Sequence, residues 1–171
     1  MELEERLTAL ERRLAALEQI DPHIDPPSPR PPHESDFWAL EGLKAQLAEA
    51  DAPDGGVLFT GAIRLPTGEQ YEWQDGALTE RQMEEDWTEV AESFAALGHP
   101  IRLRLLREIV GGRRTAAELA LLEEIGTTGQ IYHHLRQLTG AGWLHTAGRG
   151  RYEVPAGRVV PLLVALAAAR P

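Results

Sequence analysis

Gln130, Tyr132, His133, Arg136 and Gln137 bring five hydrogen-bonding side chains into one short stretch. Wound as a helix over residues 129–139 at 100° each, the stretch puts Ile131, Leu135 and Leu138 on one face and these five on the other. Gln bonds adenine at two edges, Arg forks onto guanine, and His or Tyr reaches base or phosphate, so the chemistry is major-groove readout. Thr127-Thr128-Gly129-Gln130 is a capping box that starts this helix, and Thr127 and Thr128 join the DNA-facing set. His133 and His134 are adjacent and point about 100° apart, so they do not converge as two metal ligands; His133 is expected on DNA and His134 half-buried. No spacing unites a nucleophile, a base and an orienter, so no catalytic residue, metal site or cofactor is expected, and the chain is not read as an enzyme.

The elements that must hold this surface are legible around it. Gly98-His99-Pro100 starts a helix over residues 101–110, with Arg102, Arg104 and Arg107 among its apolar positions, and Gly111-Gly112 ends it. Thr115-Ala116-Ala117-Glu118 is a second capping box, opening a short helix to about residue 123. Two short helices across a tight glycine-containing turn make a helix-turn-helix. Trp143-Leu144-His145-Thr146 and Arg151-Tyr152-Glu153-Val154, joined through Ala147-Gly148-Arg149-Gly150, form a hairpin wing that sets Arg149 and Arg151 beside the DNA backbone or in the minor groove.

Residues from about 90 to 154 resemble the ArsR family of winged helix-turn-helix transcriptional regulators. The resemblance rests on Ala96-Leu97-Gly98-His99-Pro100-Ile101-Arg102-Leu103-Arg104-Leu105-Leu106, on Tyr132-His133-His134-Leu135-Arg136-Gln137-Leu138, and on Ala141-Gly142-Trp143-Leu144. It implies a homodimer that binds an operator in double-stranded DNA and is often released by an effector, commonly a metal. The chain departs from the family where a metal would bind: it has no cysteine, and residues 159–169 hold no Asp, Glu or His. A cysteine-based metal sensor is therefore excluded, and any effector or protein partner is left unnamed.

The formal charge of −10 hides a sharp asymmetry. Residues 1–92 carry 7 Arg or Lys against 22 Asp or Glu, −15, whereas residues 93–171 carry 10 Arg against 5 Glu, +5. A nucleic-acid module joined to an acidic module fits this division. The acidic half could also fold over the basic face and lower DNA affinity until displaced. Lys44 is the only lysine among 17 basic residues, which suits planar recognition of phosphate and guanine but is equally what arginine-rich codon usage would give. The first residues show no basic segment leading into an apolar core, and no apolar run is long enough to span a bilayer, so a cytoplasmic, nucleoid-associated protein without membrane contact is expected.

Ahead of the motif, Leu3, Leu7, Leu10, Leu14 and Leu17 repeat at 4, 3, 4, 3 in a coiled-coil helix over residues 1–20, with trimer and tetramer open beside dimer. A proline-rich linker over 21–33 follows. Residues 34–78 read as an acidic helix, with Ser35 or Asp36 as its cap, and a β-hairpin from residue 57 to Gln74, with Asp75-Gly76 closing it. Core packing, a ligand pocket and a partner surface are all open uses for the hairpin aromatics. Residues 79–171 form the winged domain: a helix capped by Thr79 to Gln82 buries Met83, Trp87, Val90, Phe94 and Leu97, and the last helix presents Leu162, Leu163 and Leu166 for dimerisation. The fold class is mainly α with small β, a winged helix-turn-helix preceded by a coiled-coil helix and an acidic helix plus hairpin. The expected function is sequence-specific, homodimeric transcriptional regulation, with repression as the expected sign. The alternative is an interaction or nucleoid scaffold that uses the zipper and the acidic hairpin region.

Overall fold

The computed structural model describes residues 37–148 and 150–170. The zipper leucines Leu3, Leu7, Leu10, Leu14 and Leu17, the linker, the cap at Ser35 or Asp36, and Arg149 lie outside the described residues. The chain divides into compact units at 1–41 and 42–171. Helix α1, Trp38–Glu49, crosses that division and buries none of its residues.

Two nine-residue strands, β1 (Gly56–Arg64) and β2 (Gln70–Leu78), pair antiparallel in a register running from Gly56 opposite Leu78 to Arg64 opposite Gln70. Gly68, with φ +87°, turns the chain between them. Asp75-Gly76 was expected to close the hairpin, but β2 runs through it to Leu78. Gly76 lies opposite Leu58, so cross-strand pairing overrides the local turn chemistry.

The hairpin lies on the C-terminal helix α7, Ala156–Ala168. A Cβ on Gly61 would stand 2.7 Å from Val160 Cγ1, and the Trp73 ring reaches within 3.4 Å of where a Gly157 Cβ would be. These glycines allow backbone and side chain to approach closely. Leu65 is buried in the same core as the helices, with Ile63 and Tyr71 packed against it. The boundary expected after residue 78 therefore falls inside one packed unit.

The single helix expected from residue 79 to Leu97 is three pieces: α2 (Thr79–Glu84), a 3-10 turn (Trp87–Val90) and α3 (Ala91–Leu97). Leu78, not Thr79, stands at the N-cap of α2, and no side-chain cap forms. Asp86 breaks the run: its carboxylate accepts from the Thr88 amide at 2.9 Å, a local bond that competes with the helix ladder. With the periodicity cut, the expected buried stripe faces solvent. Met83 is 67% exposed, Trp87 65%, Val90 49% and Phe94 66%; only Leu97 packs on the core.

The rest of the unit is α4 (Pro100–Val110), α5 (Ala116–Leu119), α6 (Thr128–Gly140), strands β3 (His145–Thr146) and β4 (Tyr152–Glu153), and α7. Leu105, Leu106 and Ile109 of α4, Leu119 of α5, Ile131, Leu135 and Leu138 of α6, and Val159 and Leu162 of α7 fill one core with Trp143 and Leu144. Full burial of each such aliphatic side chain contributes about 1.5–3 kcal/mol. The described chain is thus mostly helical, with two small two-stranded sheets.

Candidate nucleic-acid interface

Burial of Ile131, Leu135 and Leu138 fixes how α6 faces. Tyr132, His133, Arg136 and Gln137 all stand on its exposed side, where the helical period places them. Gly126 sets the entry to the helix. Its φ is +99°, a conformation that strains any residue with a Cβ, and a Cβ there would also crowd Gln130 Oε1 at 2.5 Å.

Thr127 and Gln130 form a reciprocal cap: Thr127 Oγ1 accepts from the Gln130 amide at 3.4 Å, and Gln130 Oε1 accepts from the Thr127 amide at 2.8 Å. Gln130 was expected to read adenine at two edges. Its carbonyl oxygen already serves the helix terminus, so the two-edged contact would require the cap to open. Thr127 is likewise a capping residue, and Thr128 is the first exposed residue of the helix.

Thr115 and Glu118 repeat the device on α5, where Glu118 Oε2 accepts from both the Thr115 and Arg114 amides. Helix α5 ends at Leu119, earlier than expected, and the connection passes through Glu124 at φ +60° with Ile125 buried. Glu123 and Glu124 are exposed just ahead of the recognition helix.

The wing strands are two residues each, because Trp143 and Leu144, expected in the first strand, are drawn into the core. Trp143 Nε1 donates to the Ser93 carbonyl at 3.1 Å. Arg151 is exposed and its backbone pairs with Thr115, while the Tyr152 amide donates to the Arg114 carbonyl at 2.7 Å. Wing and helix-turn-helix are thereby joined by backbone. Arg114 adds a side-chain link: it ion-pairs with Glu153 of β4 at 3.0 Å and with Glu69 in the β1–β2 turn. The Thr67 hydroxyl and the Arg114 guanidinium hold the Glu69 carboxyl below the usual carboxylate range. The sequence contains no signal for this cluster, because Arg114 lies 45 residues from Glu69 and 39 from Glu153.

His99 caps α4 through Nδ1, which accepts from the Ile101 amide at 3.2 Å, and its ring lies 4.7 Å from that of His134. His134 is half-buried, as its place beside the apolar face suggested, and its Nδ1 has no partner. Burial, then His99, Arg102 and His133, push the His134 pKa below its ordinary value. Among the residues expected for dimerisation, Leu162 is 2% exposed and belongs to the core, Leu166 packs against that core, and Leu163 is 36% exposed.

A family model described as a helix-turn-helix domain matches residues 97–146, the segment from the end of α3 through β3. It supports a DNA-binding helix-turn-helix family and does not single out ArsR regulators. Neither curated proteins nor solved structures yield a match.

Proposed function

We propose that this chain is a homodimeric, sequence-specific transcriptional regulator, a DNA-binding protein rather than an enzyme, resembling ArsR repressors without their cysteine metal site. The observation that carries the reading is the exposed row Tyr132, His133, Arg136 and Gln137 on a helix whose opposite side is locked into the core. In a dimer, two such helices enter successive major grooves about 34 Å apart, with Arg151 of each wing beside flanking phosphate. The exposed apolar side chains of Met83, Trp87, Val90 and Phe94 support association, since a surface of this kind is usually covered by another protein surface. Repression, a cytoplasmic, nucleoid-associated location and release by an unidentified effector belong to the same proposal.

Selection of genomic fragments by the purified full-length protein, at low and at physiological salt, tests it. A shared inverted repeat that survives the higher salt is the expected result. Salt-sensitive binding without a common sequence would overturn operator recognition in favour of the second reading, a nucleoid scaffold, for which the exposed apolar stripe also speaks.

A further inference from the structure

A groove of about 720 Å³ runs between α4 and α7, within the range of small-molecule sites. Leu103 and Val110 line it from α4, Leu163 and Leu166 from α7, and Pro66 from the β1–β2 turn. Its polar character comes from α4, through Arg104, Arg107 and Glu108. Glu108 is engaged by Arg113 at 2.7 Å. The guanidinium groups of Arg104 and Arg107 have no ion pair or hydrogen bond among the described residues.

An apolar trough with two unmatched guanidinium groups calls for a ligand that is apolar along its length and anionic at one end. The fork of an arginine fits a carboxylate in two parallel bonds, which a neutral polar group does not reproduce. We propose that this groove binds a small amphipathic carboxylate, its medium-length alkyl chain between α4 and α7 and its head group on Arg104 and Arg107. A second copy of α7 is the poorer occupant. Its sequence, AGRVVPLLVALAA, offers leucines and alanines but no carboxylate, and Arg158 would add a third positive charge.

The inference stands apart from the DNA-binding reading, because it is tested without DNA. Calorimetric titration of the full-length protein uses decanoate, with decanol as the neutral match. Decanoate is expected to bind saturably, one per chain, at least about ten-fold more tightly than decanol, the scale of one charge-assisted contact. The double variant Arg104→Gln/Arg107→Gln is expected to lose that advantage while its decanol affinity and its circular dichroism spectrum stay as in the parent. Absence of saturable decanoate binding, or an unchanged decanoate affinity in the folded double variant, overturns the proposal. So does a Leu163→Glu variant that turns from dimer to monomer in sedimentation when the parent takes up no decanoate, since the groove is then the seat of a second copy.

Discussion

The Arg114 guanidinium donates to the Glu69 carboxylate and ties the turn between β1 and β2 to the residue that leads into the helix-turn-helix. The same guanidinium holds Glu153 of the wing, so one side chain, only 13% exposed, joins three parts of the fold. Glu69→Gln should lower stability by about 1 kcal/mol, less than a hydrogen bond to a charged group usually contributes, because the Glu69 side chain is 38% exposed and screened by solvent. The pH dependence follows from its depressed pKa. The contribution is complete above the ordinary value of 4.5 and is lost as pH falls through the lower folded value. Urea midpoints between about pH 6 and pH 3 should fall more steeply for the parent than for Glu69→Gln; parallel curves would show that the link contributes nothing.

The contact between Gly61 and Val160 gives a separate test of how the hairpin sits. Val160 is fully buried and β-branched, so it cannot swing away from a new methyl group placed 2.7 Å from its Cγ1. Gly61→Ala should therefore cost about 1–3 kcal/mol through overpacking. Adding Val160→Ala should restore part of that loss, giving a favourable coupling in a double-mutant cycle read by denaturant melts. Simple additivity of the two changes would mean that the hairpin does not rest on α7.

What the sequence disclosed depended on the range of the interaction. The caps at Thr115 and Thr127 are built from residues three apart, and both formed as the spacing indicated. The inward row Ile131, Leu135 and Leu138 was legible for the same reason, and it fixes which side of α6 can meet DNA. Thr79 has the same cap spacing but follows a strand that continues to Leu78, and the pairing of that strand governs the chain there. The apolar row from Met83 to Phe94 misled because period alone does not register Asp86, whose carboxylate stops the helix, nor say whether a row is buried within one chain. Docking of the hairpin on α7 and the Arg114 cluster join residues far apart in sequence, which no window of periodicity reaches.

Gln130 separates capping from base readout. Its amide oxygen closes the Thr127 terminus, so Gln130→Ala should destabilise the protein by about 1 kcal/mol, as loss of a helix cap does. Base preference in a binding-site selection should stay unchanged. A relaxed preference at one position, with stability unaltered, would return Gln130 to the reading surface.

Arg136 and Arg151 should fail differently. Arg136, exposed on α6, is placed for a base edge, and Arg136→Ala should weaken operator binding by about 1–3 kcal/mol while relaxing one position of the preferred sequence. Arg151, exposed in the wing, is placed for phosphate; Arg151→Ala should weaken all sequences alike and reduce the salt slope by about 1. Affinity for an operator and a scrambled duplex across a salt series checks both, and equal losses on the two duplexes for Arg136→Ala would remove it from base readout.

His134 makes stability respond to pH on the acid side of the ordinary histidine value. It sits on the recognition helix, half-buried against His99 and near Arg102 and His133, and each of these disfavours a further positive charge. Its folded pKa is depressed, so the neutral form stabilises the fold. That stabilisation is complete above the unfolded value, about 6.5, and is lost as pH falls through the lower folded value. Melting temperature should accordingly drop between about pH 7.5 and pH 5, and the drop should be smaller in His134→Gln, which keeps a polar side chain without the titration. The unpartnered Nδ1 sharpens the expectation, because a proton added there would have no acceptor among the described residues, in a ring whose centroid lies 4.7 Å from that of His99. Identical pH profiles for the two proteins would mean that water reaches His134 freely and that α6 is held without regard to its charge.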